Sequence, residues 1–141
     1  MTRNLKSVAL AIAGVILIPS CASTGSATAT THSPDSWPVK SVQSGKASWY
    51  SVKTNYGTRT ASGQRLCNEG ATAAHKTLPM GSKVRVINTA NGKSEVVTIT
   101  DRGPFKPGRI IDVTIGVAQR LGFASRGVVP VKVEVLDTPR N

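Results

Sequence analysis

The stretch from Thr98 to Asp112, TITDRGPFKPGRIID, constrains the chain more than any other. Every residue from Val96 to Thr100 is β-branched, which suits an extended strand and disfavours a helix. Gly103, Pro104, Pro107 and Gly108 then interrupt any regular structure before a second apolar run, Ile110 to Ile115. Strand, rigid loop and strand in so short a span leave no room for a crossover helix. Asp101 and Asp112 bracket a loop that carries Arg102, Lys106 and Arg109. A carboxylate at a strand end beside three cations is a place to look for chemistry or binding.

The rest of the chain agrees with a β fold. Its 141 residues allow one domain at most. Aromatic residues make up only 4%, so the core has to be built from Val, Ile, Leu and Ala, and no long helical pattern occurs. Residues 46–137 are expected to form the folded domain. Lys46 to Ser51 reads as a strand, and Asn55 to Leu66, rich in Gly, Ser and Thr, as a long loop. Ala71 to Pro79 is read as a turn of helix carrying His75. Lys83 to Thr89 and Ser94 to Thr100 form a hairpin across Asn91–Gly92. Thr114 is expected to cap a short helix, Ile115 to Leu121, which Gly122 ends. Val128 to Leu136 alternates, with Val131, Val133 and Val135 on one face and Lys132 and Glu134 on the other. Five or six short strands with one or two short helices predict a mainly β, small barrel.

The chain before this domain is different. Arg3 and Lys6 precede an apolar run, Val8 to Ile18 (VALAIAGVILI), and residues 1–20 are read as a secretory leader. Pro19, Ser20 and Cys21 resemble a bacterial lipobox, in which Cys21 would be acylated and become the mature N-terminus. Ala22 after the cysteine suggests sorting to the outer membrane, on its periplasmic side. Residues 21–45 are Ser, Thr, Ala and Pro with few apolar side chains, and are expected to be a flexible tether. Residues 138–141 are a tail. If Cys21 is acylated, Cys67 is left alone and is expected to be a small buried residue.

The formal net charge is +11. Without Arg3 and Lys6, sixteen cations still face seven anions. Such a domain favours an acidic partner. Nucleic acid is not the expected one: there is no Lys/Arg run, no recognition-helix pattern and no aromatic-rich strand. A solvated basic surface and an acidic polymer ligand both remain open.

Of the seven carboxylates, Asp35, Asp137, Glu134 and Glu95 fall in the tether, the tail, a polar strand face and beside the hairpin turn. Glu69, Asp101 and Asp112 remain, with His75 as the domain's histidine. No metal-ligand spacing and no nucleophile elbow occur, so neither a metal nor any other cofactor is expected. Cleavage of a glycosidic bond needs a general acid at the bridging oxygen, and Asp101 and Asp112 are the natural pair to examine. Each has a plainer reading. Asp101 would be a turn residue paired with Arg102, Asp112 a brace for the helix, and His75 a hydrogen-bonded loop residue. Arg102 and Arg109 are loop struts or polymer contacts.

The blocks KASWY, YGTRTASGQ, TAAHKTLPMGSKVRV, NGKSEVVTITDRGPF, GRIIDVT and GVVPVKVEVL, in this order, resemble the rare lipoprotein A family over about Lys46 to Leu136. The resemblance implies a six-stranded double-psi β-barrel, a lytic transglycosylase acting on peptidoglycan, and a lipid-anchored start. It implies one acid that protonates the oxygen between N-acetylmuramic acid and N-acetylglucosamine and assists attack by the muramoyl 6-hydroxyl, leaving a 1,6-anhydro end. The catalytic aspartate falls on Asp101, the motif histidine on His75 and the expansin-like barrel acid on Asp112. Substrate contacts are expected from Tyr50, Thr60, Gln64, Arg102 and Arg109. The partners expected are glycan strands and the membrane, for a protein acting as a monomer.

Two features depart from the family. Active members often carry Glu where this chain has Gln64, and an amide is a poor proton carrier. If that Glu is needed, the chain is a non-catalytic, expansin-like glycan binder. The chain also ends at Asn141 without the SPOR domain of many relatives, so septal targeting is not implied. A third reading is an interaction lipoprotein serving a division complex.

Overall fold

The computed structural model describes residues 34–54 and 59–138. The expected leader, the acylation site at Cys21, most of the tether and the end of the tail lie outside the described residues, as do residues 55–58 of the loop. Six strands form the domain: β1 (Val39–Tyr50), β2 (Thr72–His75), β3 (Lys83–Asn88), β4 (Ser94–Asp101), β5 (Arg109–Thr114) and β6 (Val128–Leu136). One helix, α1 (Ile115–Arg120), follows β5 directly, and a single 3-10 turn covers Pro34–Ser36. The strands close into a barrel in the order β1-β5-β2-β4-β3-β6. The pairs β1–β5 and β2–β4 are parallel and the rest antiparallel. This is the six-stranded, mainly β barrel that the sequence implies.

The core follows the period-two pattern of each strand. Val84 and Val86 of β3, Val97 and Ile99 of β4, Ile111 and Val113 of β5, and Val131 and Val133 of β6 fill the barrel. Val117, Ala118, Leu121 and Phe123, on and after α1, complete one cluster with them. Because Ile111 and Val113 face inward, Asp112 between them faces outward. The expected hairpin joins β3 and β4: Asn88 N donates to Lys93 O at 2.8 Å, and Gly92 takes φ 76°, a left-handed value glycine adopts without strain. Thr114 caps α1, its hydroxyl accepting from Val117 N at 3.4 Å and donating to Gly70 O at 2.6 Å. Gly122 follows the helix at φ 77°.

Three expectations change. β1 begins at Val39, not near Lys46, because β6 pairs with it from Val39 to Ser48. Ala71 to Pro79 holds a strand where a helical turn was expected: Thr72 to His75 is pinned between β4 and β5. Cys67 is a free, exposed thiol, not a buried filler, because it sits in a turn where Gly70 N donates to its carbonyl and its side chain faces out.

Candidate active site

Two irregularities in the strands decide which side chains meet. In the β2–β4 pair, Thr72 faces Thr98 and Ala73 faces Ile99, but Ala74 faces Asp101. One residue of β4, Thr100, is skipped. Strict alternation after the inward-facing Ile99 would turn Asp101 into the barrel; the skipped residue turns it out. On the other edge of β2, Ala74 faces Asp112. Both aspartates therefore partner one alanine from opposite sides, and their Cα atoms sit about 10 Å apart, two strand spacings. In the β1–β5 pair Ile110 is skipped likewise, and Ser48 faces Asp112 and Tyr50 faces Thr114. The outer surface of four adjacent strands thus gathers Ser48, Tyr50, Asp112 and Asp101.

The two carboxylates have different partners. Asp112 forms an ion pair with Arg109, Nη2 to Oδ1 at 2.6 Å, and accepts from the Ser48 hydroxyl, to which Arg109 also donates. The Arg109 Nε is buried with no partner among the described residues. Asp112, Arg109 and Ser48 form a closed set. Asp101 has no ion pair among the described residues. Its Oδ1 accepts two backbone N–H groups, from Arg102 at 2.8 Å and from Ala61 at 3.0 Å. The carboxyl is half-buried, with its second oxygen free of hydrogen bonds among the described residues.

Tyr50 lies between them. Its hydroxyl is buried and approaches the hydroxyls of Thr72 and Thr100 without completing a hydrogen bond to either; the Thr100 hydroxyl is equally without one. Burial, reinforced by the negative charges of Asp101 and Asp112, pushes the phenol up to about 12. Tyr50 therefore holds its proton at neutral pH and stands ready to donate it to a hydrogen bond.

The loop before Leu66 is docked onto the end of β4. Ser62 N donates to Thr100 O at 3.0 Å, and Thr60 N closes the loop on Gln64 O at 2.9 Å. Thr60 is buried and shares a 2.9 Å hydrogen bond between hydroxyls with Ser62, whereas Gln64 is exposed. The amide of Gln64 thus stands at the rim of the loop whose Ala61 N–H holds Asp101, without a hydrogen bond among the described residues.

His75 does not join this group. It faces Ile111, an inward-facing residue, and is 3% exposed. Its Nδ1 accepts from Thr77 N and Leu78 N, both at 3.1 Å. The proton therefore sits on Nε2, which donates to Gln43 Oε1 at 2.9 Å. Burial, then Arg102 and Lys76, hold the imidazole below its ordinary value, so it stays neutral. Arg102 does not pair with Asp101: its guanidinium donates to Leu78 O at 2.7 Å and His75 O at 3.2 Å. Together His75 and Arg102 tie down the β2–β3 loop. Sequence reasoning missed Ser48 and Gln43. Ser48 was findable, alternating with Tyr50 in KASWY; Gln43 was not, because its stretch read as tether.

Comparison with known proteins gives this arrangement a family. A family model described as lytic transglycolase matches residues 42–133. A Neisseria meningitidis protein named endolytic peptidoglycan transglycosylase RlpA is 48% identical over 103 residues, 73% of this chain and 43% of that protein. A Pseudomonas aeruginosa protein of the same name is 50% identical over 93 residues, 66% of this chain and 27% of that one. The chain thus spans less than half the length of either relative. Among solved structures, the Streptomyces papain inhibitor superposes with a TM-score of 0.55 at 21% identity, covering 72% of this chain and 99% of its own. An expansin of Clavibacter michiganensis in complex with cellohexaose gives 0.56 at 16% identity, covering 72% and 53%. These two likenesses are of fold. With the family model over most of the barrel and relatives near 50% identity, the chain belongs to the lytic transglycolase family, in its rare lipoprotein A (RlpA) branch.

Proposed function

We propose that this chain is an endolytic peptidoglycan lytic transglycosylase with Asp101 as its proton carrier. The carrying observation is the contrast between the aspartates: Asp112 is ion-paired with Arg109 and accepts from Ser48, whereas Asp101, on the same outer surface, has no ion pair among the described residues and is held by two backbone N–H groups. Asp101, protonated, gives its proton to the glycosidic oxygen between N-acetylmuramic acid and N-acetylglucosamine as that C–O bond breaks. The carboxylate then takes the proton of the muramoyl 6-hydroxyl as its oxygen bonds to the anomeric carbon. Asp101 ends protonated, no water is consumed, and the new end is a 1,6-anhydro sugar. The ring of Tyr50, its hydroxyl buried, supports the surface that carries the aspartates, and the Asp112–Arg109 pair sets the charge on the far side. Thr60 shapes the loop on which Gln64 meets the sugar. His75 and Arg102 act by position.

The same reading assigns the protein to the periplasmic side of the outer membrane, held by a lipid on Cys21, as a monomer; the apolar run before Cys21 and Ala22 after it support this. A second reading, a glycan-binding lipoprotein without catalysis, is favoured by Gln64, whose amide cannot carry a proton where the family resemblance implies Glu. Digestion of purified sacculi and of denuded glycan, with mass spectrometry of the soluble products, separates them. Fragments ending in anhydro-muramic acid are expected. Reducing ends in their place would make the chain a hydrolase, and bound but undigested glycan would make it a binder.

A further inference from the structure

One side chain near the site is exposed out of all proportion. Phe105 is 79% exposed, against 37–52% for the other large apolar side chains on the surface of the described residues: Val39, Val42, Val52, Met80 and Val128. Exposing a full aromatic ring to water is unfavourable, so the ring needs a reason to be there. Its base is held firmly. Gly103 and Pro104 beneath it are buried, and the ring edge lies 3.6 to 3.7 Å from where a Cβ on Gly103 would stand. Both ends of the loop are tied down: Arg102 to Leu78 O, Lys46 N to Gly108 O at 3.0 Å, and Arg109 N to Lys106 O at 3.2 Å. A pinned loop presents a ring at low entropic cost on binding. This loop leaves β4 at Asp101 and enters β5 at Arg109, the partner of Asp112. Phe105 therefore stands on the segment that joins the two aspartates.

We propose that Phe105 is a stacking platform for one pyranose ring of the glycan, a sugar subsite next to the scissile bond. This rests on the glycan-cleaving reading of the site. The surroundings favour a sugar over a lipid surface or an apolar protein face. Phe105 is flanked by Pro104 and Lys106, and the side chain of Arg102 is turned away, so the ring is a single aromatic tile beside one cation in a loop of Gly and Pro. A β-linked amino sugar has that same division, with axial C–H bonds on its faces and polar groups at its rim. Its C–H face settles on the negative face of the aromatic ring, while Lys106 is placed for the rim or for a stem carboxylate.

The test measures glycan affinity and digestion kinetics for the mature full chain as wild type, Phe105→Ala and Phe105→Trp. Denuded glycan strands serve as substrate at 0.5 M salt, where charge attraction is screened to about a 4 Å range. Phe105→Ala is expected to bind about tenfold more weakly and to raise KM by a similar factor, with kcat within about twofold. Phe105→Trp should restore both, and melting temperatures should agree, because the ring supports little of the fold. Equal affinity of wild type and Phe105→Ala overturns the subsite, as does Phe105→Trp behaving like Phe105→Ala. If wild type binds without releasing product, the catalytic reading fails and the three affinities still decide the subsite. If wild type does not bind glycan, both fall.

Discussion

Asp101 and Asp112 face the same alanine from neighbouring strands, and what separates their roles is which groups reach them. A cation and a hydroxyl reach Asp112, from Arg109 and Ser48; backbone N–H groups alone reach Asp101 among the described residues. The same logic applies to Tyr50. Its buried hydroxyl lacks a hydrogen bond among the described residues, so removing it costs the fold little. Tyr50→Phe is expected to be as stable as wild type or more stable by up to about 1 kcal/mol, with kcat within about threefold. A stability loss without a rate loss would show the hydroxyl to be structural. His75 gives a pH signature. Its folded pKa is depressed, so the unfolded state binds the proton more tightly, and stability is lost as pH falls through and below about 6.5, the ordinary value. Protonating Nδ1 would also break the two N–H bonds it accepts. Thermal melts from pH 8 to 5 should show wild type losing stability below that point. The profile of His75→Gln should start lower and be flatter; parallel profiles would contradict this.

At the scale of elements, legibility followed locality. β6, the β3–β4 hairpin and the Thr114 cap were readable because alternation, Asn-Gly and an N-cap hydroxyl are written in adjacent residues. β2 was not. Thr72 to His75 has two alanines and no branched apolar residue, and it is a strand only because β4 and β5 supply partners on both sides. The polar first half of β1 was taken for tether for the same reason, its order coming from β6. The skipped residues Thr100 and Ile110, which set the site, leave no mark in composition. Helix α1 shows context overriding propensity. Alanine is the better helix former at Gly116 by about 1 kcal/mol, yet a Cβ there would lie 2.8 Å from Asn68 O and 2.9 Å from Glu69 Cα. Gly116→Ala is expected to cost about 1–3 kcal/mol, as overpacking does. Gly45→Ala should cost a similar amount, since its nearest atom, at 2.7 Å, is Cγ2 of the β-branched Ile110, whose χ1 is stiff. Chemical denaturation of the two variants measures both costs; Gly116→Ala as stable as wild type would show that the backbone gives way.

Over the whole molecule, a closed barrel gives each strand two partners, so four strands can hold one polar surface rigidly. That suits a long polymer, which must enter and leave from the side. Excess positive charge draws such a polymer in if it carries carboxylates, and leaves selection to the groups at the site. The family and the aspartates were legible in the sequence through whole motifs, DRGPF and TAAHKTLP; which aspartate is ion-paired was not, because it depends on register. The central claim is that Asp101, and not Asp112, moves the proton. Its most direct test is to make Asp101→Asn and Asp112→Asn and to follow each by release of anhydro-muropeptides and by melting temperature. Asparagine keeps an oxygen for Ala61 and Arg102, so Asp101→Asn is predicted to fold and bind glycan as wild type does and to release no anhydro product. Asp112→Asn breaks a largely buried ion pair and is predicted to lose about 2 kcal/mol or more of stability while retaining measurable release. Anhydro product from Asp101→Asn at wild-type rate would contradict the account.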